Sequence, residues 1–117
     1  MNNTGKLAEL KATQYLVKKK YKILECNYTC RFGEIDIIAR KGRYIVFVEV
    51  KMRGVNSIAN PREFVDYSKQ QKIIATAKLY LKNNKTLLQP RFDVIEVLCE
   101  NREIKSIEHL ENAFTLV

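Results

Sequence analysis

The sequence predicts an α/β domain in which one sheet of about five strands is flanked by helices. Two observations carry this. Apolar residues recur at helical spacing in two long segments, and short runs of Ile, Val, Phe and Tyr between turn-forming residues surround them. Their order is helix, three strands, helix, two strands, which sandwiches one sheet between helices. At 117 residues the chain is expected to form a single domain, 1–117, with one real core and no room for a second. No repeat, linker or low-complexity stretch divides it.

Residues 5–19 read as the first helix, with Asn3 or Thr4 as N-cap and Ala8, Ala12, Tyr15 and Leu16 as the inward stripe. Glu9 lies seven positions before Leu16, close to that stripe. It is either a satisfied boundary residue or an acidic group aimed at a site. Lys18-Lys19-Lys20 closes the helix, where cations suit the C-terminal dipole. Residues 21–30 read as the first strand. The second helix is expected from Asn60-Pro61-Arg62-Glu63, an N-cap, N1 proline and capping glutamate, to about Lys82, with a break near Asp66-Tyr67-Ser68. Its stripe is Ile73, Ile74, Ala77, Tyr80 and Leu81. Residues 91–98 form a fourth strand with Arg91 and Asp93 as its polar start, and residues 104–109 a short fifth one.

The hairpin between these elements is the most informative stretch. Residues 32–39 and 44–52 are apolar strand sequences joined through Arg40-Lys41-Gly42-Arg43, with Lys41-Gly42 expected in the turn. A two-residue loop then sets Asp36 opposite Phe47 and Glu34 opposite Glu49. Alternation puts Glu34, Asp36, Glu49 and Lys51 on one face, and Ile35, Ile37, Val46, Val48 and Val50 on the other. Ile38, Ile45 and Phe47 share the acidic face, so both faces read as covered. An edge hairpin whose charges face water is the alternative. Carboxylates gathered among apolar neighbours need a partner, and a divalent cation is the usual one. Hard carboxylate oxygens suit Mg²⁺ or Mn²⁺, which also bind phosphate oxygens, and a neighbouring lysine suits the attacking water or the charged transition state.

Bulk charge fits the same chemistry. Lys+Arg number 21 against 13 Asp+Glu, a formal charge of +8, which suits a polyanionic partner such as nucleic acid. No long apolar span or basic amphipathic anchor argues for a membrane, and no secretory signal is visible. Cys26, Cys30 and Cys99 read as free core thiols in a reducing compartment, so a cytoplasmic location is expected. With one histidine, His109, neither a zinc site at Cys26-x-x-x-Cys30 nor a cysteine nucleophile has the partners it needs. No recognition helix or aromatic platform for base readout stands out. Gly54 to Ala59 reads as a polar loop placed to touch substrate. Lys69 and Gln70, one turn before the second stripe, are either surface residues or phosphate contacts.

The motifs Gly33-Glu34-Ile35-Asp36 and Phe47-Val48-Glu49-Val50-Lys51-Met52-Arg53 resemble the YraN-type family of predicted bacterial endonucleases. Glu9-x-x-Ala12-x-x-Tyr15-Leu16, Lys69-x-x-Lys72-Ile73, Arg91-Phe92-Asp93-Val94 and the segment from Ile107 to Phe114 match further family segments in order, so the resemblance covers almost the whole chain. It implies a restriction-endonuclease-like fold with a mixed central sheet, similar to archaeal Holliday-junction resolvases, and a PD-(D/E)xK site. In that site Asp36 and Glu49 ligate Mg²⁺ or Mn²⁺, Lys51 acts on the water, and Glu9 reaches in from the first helix. Glu34, Lys69 and Gln70 are auxiliary positions, and Arg53, Lys69 and Lys72 are the implied nucleic-acid contacts. Ile35 stands where the superfamily signature has Pro, and Ser57-Ile58-Ala59-Asn60 replaces the family's glycine-containing segment. The implied activity is hydrolysis of DNA, at branched structures by analogy, by a two-fold homodimer. A non-catalytic module that binds nucleic acid or a partner and retains the fold is the alternative.

Overall fold

The computed structural model describes residues 3–54 and 65–115. The expected loop at 54–59, the segment Ser57 to Asn60 and the proline-led helix start at 60–63 lie outside these residues, apart from Gly54. The elements follow the expected order: α1 (Asn3–Lys18), β1 (Lys22–Cys30), β2 (Gly33–Lys41), β3 (Tyr44–Gly54), α2 (Tyr67–Asn83), β4 (Gln89–Glu100) and β5 (Glu103–Phe114). The five strands form one sheet in sequence order, and only the β3–β4 pairing is parallel. The fold is therefore α/β with a mixed sheet, and β3 lies at its centre. The single parallel pairing follows from α2, which carries the chain back across the sheet between β3 and β4.

Two cores form, one on each face of the sheet. On one side α1 lays Ala8, Ala12 and Leu16 against Ile37, Ala39, Val46, Val48, Ile95 and Val97. On the other, Ile73, Ile74, Ala77 and Tyr80 of α2 meet Ile35, Ile38, Ile45, Phe47, Phe92 and Val94. Phe47 stacks on Phe92 at 5.4 Å, and Phe92 on Phe114 at 5.1 Å. α1 closes as a Schellman turn, with the Tyr21 amide donating to Leu16 O and the Lys20 amide to Val17 O. Lys20 takes the left-handed conformation there, φ 73°. α2 begins at the expected break, where Asp66 is its N-cap and accepts from the Lys69 amide at 2.8 Å.

Several local expectations change. Asn3 and Thr4 lie within α1 rather than capping it. The hairpin turn is Gly42-Arg43, because Lys41 pairs with Tyr44, and Gly42 supplies the positive φ of 57°. The register therefore moves by two residues: Ile38 faces Phe47, and the count places Asp36 opposite Glu49. A shift of two preserves the faces where the β2–β3 ladder runs, but alternation along β2 breaks at Asp36, so Glu34 does not share the expected acidic face. Ile35 does not stay with Ile37; it packs on the α2 side while Ile37 packs on the α1 side. β5 is 12 residues long rather than a short strand, and its alternating polar residues befit an edge. The thiols are free but are not core groups, since Cys26 is exposed and Cys30 and Cys99 are half-buried. No helix among the described residues is long and apolar enough to cross a membrane.

A candidate metal centre where two strands part

The β2–β3 ladder runs from Lys41↔Tyr44 to Ile37↔Val48 and stops there. At that point the Val50 amide donates to Asp36 Oδ2 at 2.7 Å, so a side chain takes a backbone donor of the central strand. The change of face between Ile35 and Ile37 brackets the same residue. Asp36 is 9% exposed and Glu49 is 12% exposed at its side chain, which rules out the water-facing edge hairpin.

Glu49 lies close enough to act on the Asp36 carboxyl. Burial first, and then the hydrogen bond and charge of Glu49, push the Asp36 carboxyl up to about 8, against the pull of the Val50 amide. Near neutral pH Asp36 therefore holds a proton unless a cation replaces it. Lys69 Nζ, from the first turn of α2, lies 3.4 Å from Glu49 Oε2. Glu9 on α1 is near enough for Asp36 and Glu34 to act on it. Its pKa is raised, first by burial and then by Asp36, while a hydrogen bond with Asn27 opposes this. Glu34 is exposed and accepts from Thr29 Oγ1 at 3.2 Å. Lys51 projects two positions beyond Glu49 on the same face of β3 and is half-buried.

Other expected contacts are engaged elsewhere. Arg53 Nε binds Glu96 Oε2 at 3.0 Å and is 12% exposed at its side chain. Gln70 Nε2 donates to Val65 O at 2.8 Å, which ties down the start of α2. Lys72 is exposed on α2, one turn from the Lys69 that meets Glu49. Among the described residues, no group of three or more Asp, Glu, His or Cys is placed to hold a metal ion together. The protein donors available to a cation here are the Asp36–Glu49 pair, and Glu9 does not complete a three-ligand group. A pair suits Mg²⁺, which keeps several waters and takes one or two carboxylates plus substrate phosphates.

The reading of Arg91 and Asp93 as a polar strand start is corrected by burial. Asp93 is fully buried and accepts from Arg91 Nε at 3.0 Å, Arg91 Nη2 at 2.8 Å, the Asn112 amide at 3.0 Å and His109 Nε2 at 2.7 Å. Burial pushes its carboxyl up, but the His109, Arg91 and Asn112 bonds outweigh that and hold it below the usual aspartate range. In the neutral ring His109 Nδ1 accepts from Tyr15 OH at 3.1 Å. The sequence holds only a faint signal for this hub, Arg91-x-Asp93, two charges on one face of a largely apolar strand.

The profile of the Uncharacterised protein family UPF0102 matches residues 8–97. The chain belongs to this family. A UPF0102 protein of Caldanaerobacter subterraneus subsp. tengcongensis is 48% identical over 113 residues, covering 94% of this chain and 93% of the relative. One from Thermodesulfovibrio yellowstonii is 46% identical over 110 residues, covering 94% of each. Another from Flavobacterium psychrophilum is 42% identical, covering 97% of this chain and 94% of the relative. The matched span of the UPF0102 profile includes Glu9, Asp36, Glu49, Lys51 and Asp93 and ends before His109.

Proposed function

We propose that this UPF0102 protein is a metal-dependent nuclease that hydrolyses DNA phosphodiester bonds. The observation that carries the reading is the buried pair of neighbouring carboxyls, Asp36 and Glu49, with Lys51 beside Glu49 on the central strand. A buried carboxyl that otherwise keeps its proton, beside a second buried carboxylate, is a fitting donor pair for Mg²⁺ or Mn²⁺. When bound, such an ion supplies charge stabilisation at phosphorus and lowers the pKa of water. Asp36 and Glu49 would hold it, with Glu9 on α1 near enough to feel the Asp36 charge. Lys51 orients the attacking water or accepts its proton. Lys69, now on Glu49, is the cation best placed to pass to a substrate phosphate.

The resemblance to PD-(D/E)xK nucleases supports DNA as substrate, and the formal charge of +8 supports a polyanion. Branched DNA and a two-fold homodimer follow by analogy with junction resolvases, since symmetric cutting of two strands suits a two-fold pair. Three free thiols suit the cytoplasm. The second reading is a binding module that retains the fold. Titration with Mn²⁺ separates the two. The nuclease binds the ion and loses it in Asp36→Ala, whereas the binding module keeps its DNA affinity without metal. DNA affinity falls steeply with salt in both cases, so salt-independent binding would count against nucleic acid as the partner.

A further inference from the structure

The tyrosines and cations at the other end of the sheet line a cleft. This cleft of about 520 Å³ lies between the end of α1, the β2–β3 turn and the start of β4, in the size range of small-molecule sites. Tyr44 and Glu49 are five residues apart on β3, so it lies roughly 16 Å from the carboxylate pair. Its walls carry Lys19, Lys41, Arg43 and Arg91 against Glu111 alone, and also Tyr15, Tyr21 and Tyr44.

The floor is fixed. Asp93 holds Arg91 and His109, Arg91 Nη2 donates to Tyr21 OH at 2.7 Å, and His109 meets Tyr15. The Schellman turn sets Tyr21 where Arg91 reaches it. On that floor an anion is already seated. Glu111, 61% exposed at its side chain, rests its Oε1 3.2 Å from Arg91 Nη1. Beside it the Tyr44 ring carries Arg91 at 5.0 Å and Arg43 at 5.5 Å. Arg43 is exposed, so it can leave the ring to a flat base and turn its charge toward a phosphate.

We propose that this cleft binds a nucleotide, with its phosphate replacing the Glu111 carboxylate on Arg91 near Arg43 and Lys19, and its base on Tyr44. The source is a free nucleotide or the phosphorylated end of a strand, which share this chemistry. The proposal does not depend on nuclease activity.

Metal-free ¹⁵N-labelled protein titrated with adenosine monophosphate tests it. Expected are shifts at Gly42, Tyr44 and Glu111 with a Kd of about 1 mM or tighter. Inorganic phosphate and adenosine should each bind at least about tenfold more weakly, since each makes part of the contact. Lys19→Ala/Arg43→Ala, both exposed, should keep the fold and lose affinity by about tenfold. Glu111→Gln should gain affinity a few-fold by removing the competing anion, a change that a purely structural network would not give. Asp36→Ala should bind as wild type does. A 5′-phosphorylated oligonucleotide that binds more tightly than both the mononucleotide and the same strand without its terminal phosphate identifies a strand end; otherwise the ligand is a free nucleotide. Absence of shifts at several millimolar, shifts confined to Asp36 and Glu49, phosphate binding as tightly as the nucleotide, or unchanged affinity in Glu111→Gln would each overturn the proposal.

Discussion

Asp36 makes the most demanding prediction. In the cation-free protein its carboxyl is pushed up to about 8, first by burial and then by Glu49. At pH 7 about nine in ten folded molecules then carry that proton. A divalent cation held by both carboxylates must displace it, so binding releases ~0.9 proton per site at pH 7 and ~0.1 at pH 9. Apparent affinity rises with pH to about 8 and levels off above it. Stability runs the opposite way. The folded value exceeds the ordinary 3.8, so the folded chain binds more protons than the unfolded chain between about pH 4 and pH 8. The stabilisation is complete below that window and is lost as pH rises through it, by several kcal/mol at most. Asp36→Asn removes the slope and is the more stable protein at about pH 8. Calorimetric titration with Mn²⁺ in two buffers of equal pH and different protonation enthalpy counts the protons. Tight binding at pH 7 with release below ~0.2 proton would refute the protonated Asp36 carboxyl as the cation's seat.

Three further outcomes follow from the packing. Asp93→Ala strands Arg91 and His109 and should cost about 3–5 kcal/mol in urea unfolding. Because the Asp93 carboxyl is held low, its contribution is present above the ordinary aspartate range and fades as pH falls below it. Phe47→Ala removes a ring 1% exposed from between Phe92 and Tyr80, and urea midpoints should report about 3–5 kcal/mol lost. Lys69→Ala breaks an ion pair whose lysine is 48% exposed, so stability should change by less than ~1 kcal/mol, and a larger loss would show that Lys69 has a structural role.

What the sequence makes legible, and what it does not, divides along physical lines. Element order follows from local periodicity, which is why the helix stripes Ala8-Ala12-Leu16 and Ile73-Ile74-Ala77-Tyr80 lie where expected. The pairing of Asp36 with the Glu49 strand is legible even with the turn misplaced, because faces depend on parity and the true register differs by two. Glu34, however, leaves the expected face where alternation breaks at Asp36. Ile35 is not legible, since its change of face depends on Asp36 reaching the Val50 amide of another strand. Arg91, Asp93 and His109 look like surface polar residues in sequence. They become a core only because β5 brings His109 beside Asp93 and α1 brings Tyr15 beside His109. Arg53 has the composition of a phosphate contact, but Glu96 on the neighbouring strand claims it. Long-range pairing decided each of these cases, and local pattern does not encode it.

The most direct test of the nuclease reading is cleavage of labelled duplex, single-stranded and four-way-junction DNA, with an RNA control, in Mg²⁺ or Mn²⁺, by wild type beside Lys51→Ala. Wild type should cut DNA only with the metal present, and the folded variant should be slower by at least about 10²-fold. Wild type that binds the ion yet cuts none of these substrates, or a folded Lys51→Ala that cuts as fast as wild type, would contradict it.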